Sequence, residues 1–389
     1  MPRRSLSRKG DRPAASAPSA FRSPRAASAS PLNPAGRRGG AASPSRLELV
    51  GVMVVAGLAA GGGACKPDFG SPPSLLVGPR ILAVRGVPAE AAPNKTVTFD
   101  ALAVEPAGTI VDPSLGWAFC HTPKPPAEAN AVSGACLDGA DDAGPSPTFT
   151  APIPAGVRAS DKKVIDACQL FGPQTPPPSP GQPPIRPRDP DVTGGFYQPL
   201  RVTLQVTGGR DLAFELQRIS CPLSNAPVDV TRAFTMMRDP TMPDQGPCCY
   251  TPNQNPTLAR VTLDPDGAAT ALYTAGAPAG TPTPVSAGSK LTLEVAWDDA
   301  SPETFPVWEL ATRMLTTHRE SLRVSWFTTA GSFALDTSGR GETETELTTR
   351  NDWTAPTQAP EGGVVHFWVV LRDSRGGIDF AVFDLTVSP

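Results

Sequence analysis

Apolar and polar side chains alternate residue by residue in two segments of this chain, Lys95–Val104 and Ser289–Trp297. In the first segment Val97 and Phe99 share one face, and threonines lie on the other. This period is that of a β-strand with one buried face. The 48 prolines and 36 glycines among the 389 residues are spread along the chain, which disfavours long helices and favours short strands joined by loops. The sequence therefore predicts an all-β protein.

The two alternating segments belong to an internal repeat. Val97–Asp100 aligns with Leu291–Glu294, and a tryptophan-bearing strand follows in each half, first Ser114–Cys120 and then Ser321–Phe327. Each half closes with a long strand, a Gly-Gly hairpin and a return strand, and glycine supplies the positive φ that tight hairpins need. A unit of about seven short strands with a core tryptophan predicts a β-sandwich in each half.

The repeat defines two predicted domains. The first is residues 80–220, and it contains a long insertion over residues 121–194. Residues 221–256 carry three cysteines and no sustained period, so they are predicted as a cysteine-containing linker. Residues 257–389 form the second predicted domain.

The insertion is predicted to contain only short elements of secondary structure. Thr148–Pro152 has the pattern of a short strand. Residues 160–172 predict a short helix, with Ser160 as the N-cap and Gly172 as the stop. The Pro-rich run over residues 173–190 predicts a stiff, extended polyproline spacer.

Residues 1–64 predict a low-complexity N-terminus followed by an export signal. Residues 1–46 are rich in Arg, Ser, Ala and Pro, with no apolar period that could build a core, so they are expected to be disordered. Leu49–Ala60 is a run of apolar or small residues that is too short to span a bilayer but suits the apolar region of a signal peptide. Its distance from Met1 predicts either an extended basic region or a true translation start further downstream.

Gly62–Cys65, with the sequence GGAC, resembles the lipobox of bacterial lipoproteins. The resemblance implies that Cys65 is lipidated on its sulfur and becomes the new N-terminus after cleavage. Residues 65–79 would then form a flexible, Pro- and Gly-rich tether. Gly62 stands where lipoboxes prefer leucine, and Gly62 and Ala64 also satisfy the small-x-small rule of an ordinary signal peptidase, so a soluble secreted protein is the alternative.

The cysteine count favours Cys65 as the lipid site. Without Cys65 the chain keeps six cysteines, an even number that suits disulfides in an oxidising compartment. These disulfide candidates are Cys120, Cys136, Cys168, Cys221, Cys248 and Cys249. Two of them, Cys136 and Cys168, are expected to attach the insertion to the sandwich. A zinc site at Cys221, Cys248 and Cys249 is less favoured because the spacing lacks a CxxC or CxxH pattern.

Three motifs in the second half carry a family resemblance. They are WFTTAGSF (Trp326–Phe333), DWTAP (Asp352–Pro356) and VVLRDSRGG (Val369–Gly377). They resemble the PKD-like and immunoglobulin-like modules of bacterial surface proteins, and the chain as a whole is similar to uncharacterised Gram-negative lipoproteins with two such units. The resemblance implies two immunoglobulin-like β-sandwich domains. The YxWDFGDG signature of PKD repeats is absent, which favours the broader immunoglobulin-like description.

The sequence shows no catalytic constellation. The chain has three histidines and lacks GxSxG, P-loop and HExxH motifs, so we expect neither an enzyme nor a cofactor. Acidic residues at the predicted loop ends, Asp298, Asp299 and Asp373, with Glu303 near them, are weak candidates for a calcium site. Solvated loop charges are the simpler interpretation.

Charge and placement together give the expected function. Ten of the 34 Lys and Arg residues and two of the 37 Asp and Glu residues lie in residues 1–64. The remaining 24 basic and 35 acidic residues carry a formal charge of about −11, which argues against nucleic acid as a partner. We expect a non-catalytic cell-envelope lipoprotein, held at the outer membrane by its lipid anchor, that serves protein interaction, adhesion or envelope assembly. The alternative is a carbohydrate-binding accessory protein that uses exposed aromatics such as Trp308 and Trp353, although Trp353 is also expected to pack in the core.

Overall fold

The computed structural model describes a chain built almost entirely of β-strands, as predicted. The residues described are 71–122, 132–154, 156–158, 164–166, 168, 192–224, 226–235, 250, 252–264 and 266–389. They include an α-helix, Val228–Thr235 (α1), and a 3-10 turn, Gly134–Cys136. No helix in these ranges has both the length and the apolar character needed to cross a membrane.

Two facing sheets build the first sandwich. Its strands are β1 (Arg80–Val87), β2 (Glu90–Ala91), β3 (Thr96–Glu105), β4 (Gly108–Thr109), β5 (Leu115–Phe119), β6 (Thr148–Pro152), β7 (Gly156–Arg158), β8 (Val164–Asp166), β9 (Gly195–Val206) and β10 (Gly209–Ser220). One sheet places β3 between β1 and β6, with β4 at the end of β3, and the other has the order β2-β10-β9-β5. β2 runs parallel to β10, and β7 and β8 form a separate hairpin.

The second sandwich has the same plan with more strands. They are β11 (Leu258–Leu263), β12 (Thr270–Thr274), β13 (Thr283–Ser286), β14 (Lys290–Trp297), β15 (Thr304–Glu309), β16 (Met314–Arg319), β17 (Leu322–Thr328), β18 (Ser332–Phe333), β19 (Thr337–Arg340), β20 (Thr348–Thr354), β21 (Val364–Asp373) and β22 (Ile378–Ser388). The sheets have the orders β12-β11-β14-β20-β18 and β13-β22-β21-β17-β19, and β15 and β16 form an extra hairpin.

The topology repeats between the two sandwiches. The order β1-β3-β6 in the first corresponds to β11-β14-β20 in the second, and β2-β10-β9-β5 corresponds to β13-β22-β21-β17. In both, the short strand that opens the second sheet runs parallel to the last strand. This is the arrangement of an immunoglobulin-like sandwich. The predicted alignment of β3 with β14 is therefore an equivalence in the fold.

Aromatic side chains fill each core, because alternate residues of every central strand point inward. In the first sandwich Trp117 of β5 stacks on Phe149, with ring centroids 5.9 Å apart, and donates its indole N–H to the Ser146 carbonyl at 2.9 Å. In the second, Trp326 of β17 is fully buried and its indole N–H donates to the Ser338 hydroxyl at 2.9 Å. Both tryptophans lie on the strand where the repeat predicted them.

One local prediction was wrong. The helix predicted over residues 160–172 is contradicted at Val164–Asp166, which is strand β8 and pairs with β7. Val164 and Ile165 are β-branched and suit a strand, and the antiparallel partner stabilises it. The predicted linker contains α1, which its lack of a long apolar period did not indicate. The Pro-rich run over 173–190 lies outside the described residues.

Candidate functional site

The junction between the two sandwiches is an apolar, sheet-on-sheet contact. Leu82 and Leu102 of the first sandwich pack in one buried cluster with Trp368 and Val370 of the second. The predicted alternation of β3 therefore holds only at its start, where Val97 and Phe99 are buried and the intervening threonine is exposed. Further along β3 both faces are buried because the second sandwich covers the outer one.

Polar contacts cross the same junction. The Trp368 indole N–H donates to the Thr109 hydroxyl at 2.9 Å. The Arg85 guanidinium binds Asp100 of its own sandwich at 2.8 Å and Asp379 of the other at 2.7 Å. Its guanidinium carbon lies 4.7 Å from the centre of the Phe380 ring, a cation–π distance. The junction therefore combines apolar packing with hydrogen bonds, ion pairs and a cation–π contact, all of which depend on the orientation of the side chains.

The end of the predicted linker connects both sandwiches. Asn253 is fully buried, its backbone N–H donates to Glu90 Oε2 at 2.8 Å, and its side-chain amide lies 3.3 Å from the Asp373 carboxylate. Asn255 donates to the Gly86 carbonyl at 2.8 Å and accepts from the Ile378 N–H at 2.9 Å. This segment is therefore part of the junction as well as a connection.

A group of buried charges lies beside Asn253, and we call it the junction cluster. Its members are Glu90, Arg218, Glu303, Glu320, Asp373 and Arg375. The side chains of Glu90 and Arg218 are fully buried, with the Arg218 Nε 3.1 Å from Glu90 Oε2. Arg375 donates to Glu320 at 2.7 Å and to Glu303 at 2.8 Å.

Four carboxyl groups in this cluster face two guanidinium groups, and burial raises the pKa of three of these carboxyls, those of Glu303, Glu320 and Asp373. Burial raises the pKa of Glu320 from 4.5 to about 8, helped by the charge of Asp373 and opposed by Arg375. Burial also raises the pKa of Asp373, against the backbone N–H groups of Gly377 and Arg375. Desolvation costs most for a charged group that lacks a full set of partners. Burial therefore favours the protonated forms of Glu320 and Asp373.

The cluster was not predicted from the sequence. Asp373 was singled out only as a weak calcium candidate, and Glu90, Arg218 and Arg375 were not singled out at all. No local pattern indicated it: Arg218 directly precedes the core residue Ile219 in β10, so strand alternation places the two side chains on opposite faces of the sheet.

The calcium candidates do not form a site. Asp298 and Asp299 are exposed just after β14. Asp373 is buried, and its carboxylate accepts the N–H groups of Arg375 at 2.8 Å and Gly377 at 2.9 Å. Across the described ranges, no three His, Cys, Asp or Glu side chains are grouped so that they could hold a metal ion.

Four of the disulfide candidates are paired. Cys120 at the end of β5 is bonded to Cys136, and Cys168 is bonded to Cys221 at the end of β10. Each bond attaches part of the insertion to the first sandwich. Cys65, Cys248 and Cys249 lie outside the described residues.

Neither tryptophan suggested for carbohydrate binding is exposed. Trp308 is 4% exposed and packs with Leu223 and Phe234, and Trp353 is 0% exposed in the second core. The Trp353 indole N–H is also used inside the protein, since it donates to the Ala330 carbonyl at 3.2 Å. The expectation that Trp308 is exposed was wrong, whereas Trp353 packs in the core, as was also expected for it. Both side chains contribute packing because the strands that carry them face apolar neighbours.

Two of the three histidines, His318 and His366, lie close to carboxylate side chains. The Nδ1 of His366 lies 2.8 Å from Asp384, and its ring lies against Gly108 and Trp368. His318 is partly exposed between Glu309 at 3.3 Å and Glu342 at 3.1 Å. These contacts orient the rings at the junction and on the surface.

Two open pockets lie on the surface of the described part of the chain. One, of about 490 Å³, lies between Ala91 of β2 and Phe234 of α1. The other, of about 500 Å³, lies between β12 and β22 of the second sandwich and is lined by Leu272, Tyr273 and Val382. We call this second pocket the β12 groove.

No protein-family model matches this chain, and no curated protein matches it. Among solved structures, it is similar to the D00-D0 domain of intimin, with 8% identity over 77% of this chain and 95% of that chain and a TM-score of 0.18. It is similar to the adhesin InvE of Yersinia pseudotuberculosis, with 9% identity over 78% of this chain and 58% of that one and a TM-score of 0.18. It is also similar to the Escherichia coli adhesin FdeC, with 11% identity, coverages of 79% and 64%, and a TM-score of 0.16. Likenesses at this level say nothing about function.

Proposed function

We propose that this chain is a non-catalytic cell-envelope lipoprotein, anchored through a lipid on Cys65, that presents two docked immunoglobulin-like sandwiches for protein interaction in adhesion or envelope assembly. The observation that carries the proposal is the pairing of Cys120 with Cys136 and of Cys168 with Cys221. Disulfides persist in exported proteins and are rare in the cytosol. Export is also what the apolar run before Cys65 predicts.

The arrangement of the folded part supports a presenting role. Apolar packing, Arg85 and Asn253 all cross the junction, so the two sandwiches are held in one fixed relation. A scaffold of that kind displays loops and strand edges without needing a reacting centre. Within the junction cluster Arg218 contacts Glu90 and Arg375 contacts Glu320 in buried, oriented hydrogen bonds, which suits a specific docking geometry.

The carbohydrate-binding alternative depended on exposed tryptophans. Trp308 and Trp353 are buried, so they no longer support it. A soluble secreted protein, cleaved after Ala64 by an ordinary signal peptidase, remains the competing outcome for the anchor. The two possibilities differ in the chemistry of one residue, Cys65.

Intact-mass analysis of the membrane fraction tests the anchor. The wild-type chain should begin at Cys65 and carry the mass of a diacylglyceryl group, with or without an added N-acyl chain. The Cys65→Ala variant should leave the membrane fraction or remain uncleaved. A soluble, unmodified wild-type protein that begins at Cys65 would overturn the anchor.

Cross-linking in intact cells tests the presenting role. Formaldehyde treatment of cells that express the anchored chain, followed by purification and mass spectrometry, should recover the same envelope proteins in repeated experiments. Recovery of none above the level seen with an unrelated lipoprotein would contradict an interaction role, whatever the result for Cys65.

A further inference from the structure

The pocket of about 490 Å³ between β2 and α1 has an apolar floor, and we call it the α1 pocket. Its floor includes the buried side chains of Ala91, Cys221 and Phe234. Tyr250 also lines it, and the Tyr250 hydroxyl is already bonded to the Ser220 hydroxyl at 3.3 Å, so this residue adds mainly ring surface. Such a volume and lining are those of a site for a small, largely apolar molecule.

The open side of the α1 pocket carries a positive charge. Ala92, Lys95 and Thr96, at the turn between β2 and β3, line the pocket and are exposed. The turn is held by its backbone, because the Lys95 N–H donates to the Ala92 carbonyl at 3.1 Å and the Lys95 carbonyl accepts the Ile153 N–H at 2.9 Å. The Lys95 ammonium forms no ion pair with any residue that the structure describes. The rim therefore presents one unpaired cation on a fixed turn.

Glu90 is the other charged residue that lines the α1 pocket, and Arg218 balances its charge. Glu90 Oε2 lies 3.1 Å from Arg218 Nε and accepts the Asn253 N–H at 2.8 Å. Glu90 Oε1 has no hydrogen-bond donor within the described chain, but this atom is shielded from water. An anionic ligand would meet Lys95 at the rim, whereas a cationic ligand would have to reach a hidden carboxylate.

The β12 groove lacks this combination. Its volume is similar, at about 500 Å³. Among the described residues that line it the charged one is Asp384, and neither lysine nor arginine is present. An apolar floor together with an unpaired ammonium group is therefore a property of the α1 pocket.

We propose that the α1 pocket binds a free single-chain fatty acid, with the alkyl chain on the apolar floor and the carboxylate at Lys95. Burial of alkyl CH₂ groups supplies most of the binding free energy. Charge complementarity selects the head group, because one ammonium matches the single negative charge of a carboxylate. The inference depends neither on the lipid anchor nor on the presenting role.

Isothermal titration calorimetry with sodium dodecanoate tests the proposal. The protein is the full chain carrying Cys65→Ala, so that no acyl chain on Cys65 can compete for the pocket. We expect one dodecanoate per chain, and decanoate should bind about tenfold more weakly because it buries two fewer CH₂ groups. Lys95→Gln should raise the dissociation constant about fivefold. Lys290→Gln, which removes an exposed lysine of the second sandwich, is the matched control and should leave it unchanged.

Two further variants obstruct the pocket without changing a buried residue. Ala92→Trp and Thr96→Trp each add an indole to the exposed rim and should abolish dodecanoate binding. Ala311→Trp, at an exposed turn between β15 and β16, is their control and should bind as the parent protein does. Circular dichroism confirms that the variants are folded, and if one rim variant is not, the other carries the test.

Hydrogen exchange then locates the ligand. Dodecanoate should slow amide exchange in residues 90–96 and leave residues 270–274 of the β12 groove unaffected. Absence of saturable binding, or binding that persists in Lys95→Gln or in both tryptophan variants at the rim, would overturn the proposal. Dodecyltrimethylammonium that binds as tightly as dodecanoate would assign the pocket to Glu90 and a cation instead. Dodecyl phosphate that binds more tightly than dodecanoate would overturn the carboxylate and favour a phospholipid.

Discussion

Arg375 donates its Nε–H to Glu320 at 2.7 Å, and both side chains are almost fully removed from water. Arg375 also contacts Glu303, and its guanidinium carbon lies 4.8 Å from the centre of the Phe305 ring. One arginine therefore ties the start and end of the β15–β16 hairpin to the turn after β21. Burial, helped by the charge of Asp373, raises the pKa of Glu320, so the pair is sensitive to pH.

Glu320→Gln should flatten the pH dependence of stability. The pKa of Glu320 is raised from 4.5 to about 8, so the folded protein holds a proton that the unfolded chain releases between those values. The free energy of unfolding should therefore fall as pH rises from about 4.5 to about 8, by an amount on the order of a few kcal/mol. Because glutamine cannot ionise, the Glu320→Gln variant should lack this contribution to the change of unfolding free energy with pH.

Urea unfolding at pH 5.5 and pH 8 measures the effect. Glu346→Gln is the control, because the Glu346 side chain is 63% exposed and should contribute little to the slope. A Glu320→Gln protein with the same pH slope as the wild type would contradict the role given to Glu320.

Asn253→Ala should loosen the connection between the two sandwiches. The side-chain amide of Asn253 lies 3.3 Å from the buried carboxylate of Asp373, and alanine would leave that carboxylate with fewer donors. The expected loss is about 1–3 kcal/mol in the free energy of unfolding, since unpaired buried acceptors are costly. Gln254→Ala, at the next residue, removes a mostly exposed side chain and should cost less than about 0.5 kcal/mol.

Thermal unfolding followed by calorimetry separates the two variants. The wild type and Gln254→Ala should each give one transition, whereas Asn253→Ala should broaden or split it. Equal midpoints for the two variants would show that Asn253 is not needed at the junction.

The sequence predicted several strands and their buried residues, but it did not predict which residues meet at the junction of the two sandwiches. Alternation and the internal repeat predicted β3, β14 and both core tryptophans because each signal lies within a few neighbouring residues. Glu90 and Arg218 form their ion pair across 128 residues, and no local pattern connects them. The prediction that Trp308 is exposed was wrong for the same reason. Phe234 helps to cover Trp308, and it belongs to the helix in the predicted linker, far away in the sequence.

The two disulfides should differ in how much they stabilise the first sandwich. Cys168 and Cys221 are 53 residues apart, and Cys120 and Cys136 are 16 apart. Closing a longer loop removes more entropy from the unfolded chain, so the paired alanine variants should cost about 4 kcal/mol and about 3 kcal/mol respectively. Urea unfolding of each double variant under non-reducing conditions measures the difference, and the reverse order would contradict the loop-entropy explanation here.

Gly331→Ala should be among the more damaging glycine substitutions, because two separate constraints meet at that position. Gly331 has a φ of 75°, and a Cβ there would lie 2.5 Å from the Thr354 carbonyl oxygen and 2.7 Å from the Trp353 indole nitrogen. Gly362 has a φ of 76° with no atom within 4 Å of its Cβ position, so Gly362→Ala measures the backbone conformation alone. We expect about 1 kcal/mol for Gly362→Ala and at least about 2 kcal/mol more for Gly331→Ala, since the second core must also move. Equal losses in urea unfolding would show that the core around Trp353 accommodates the methyl group.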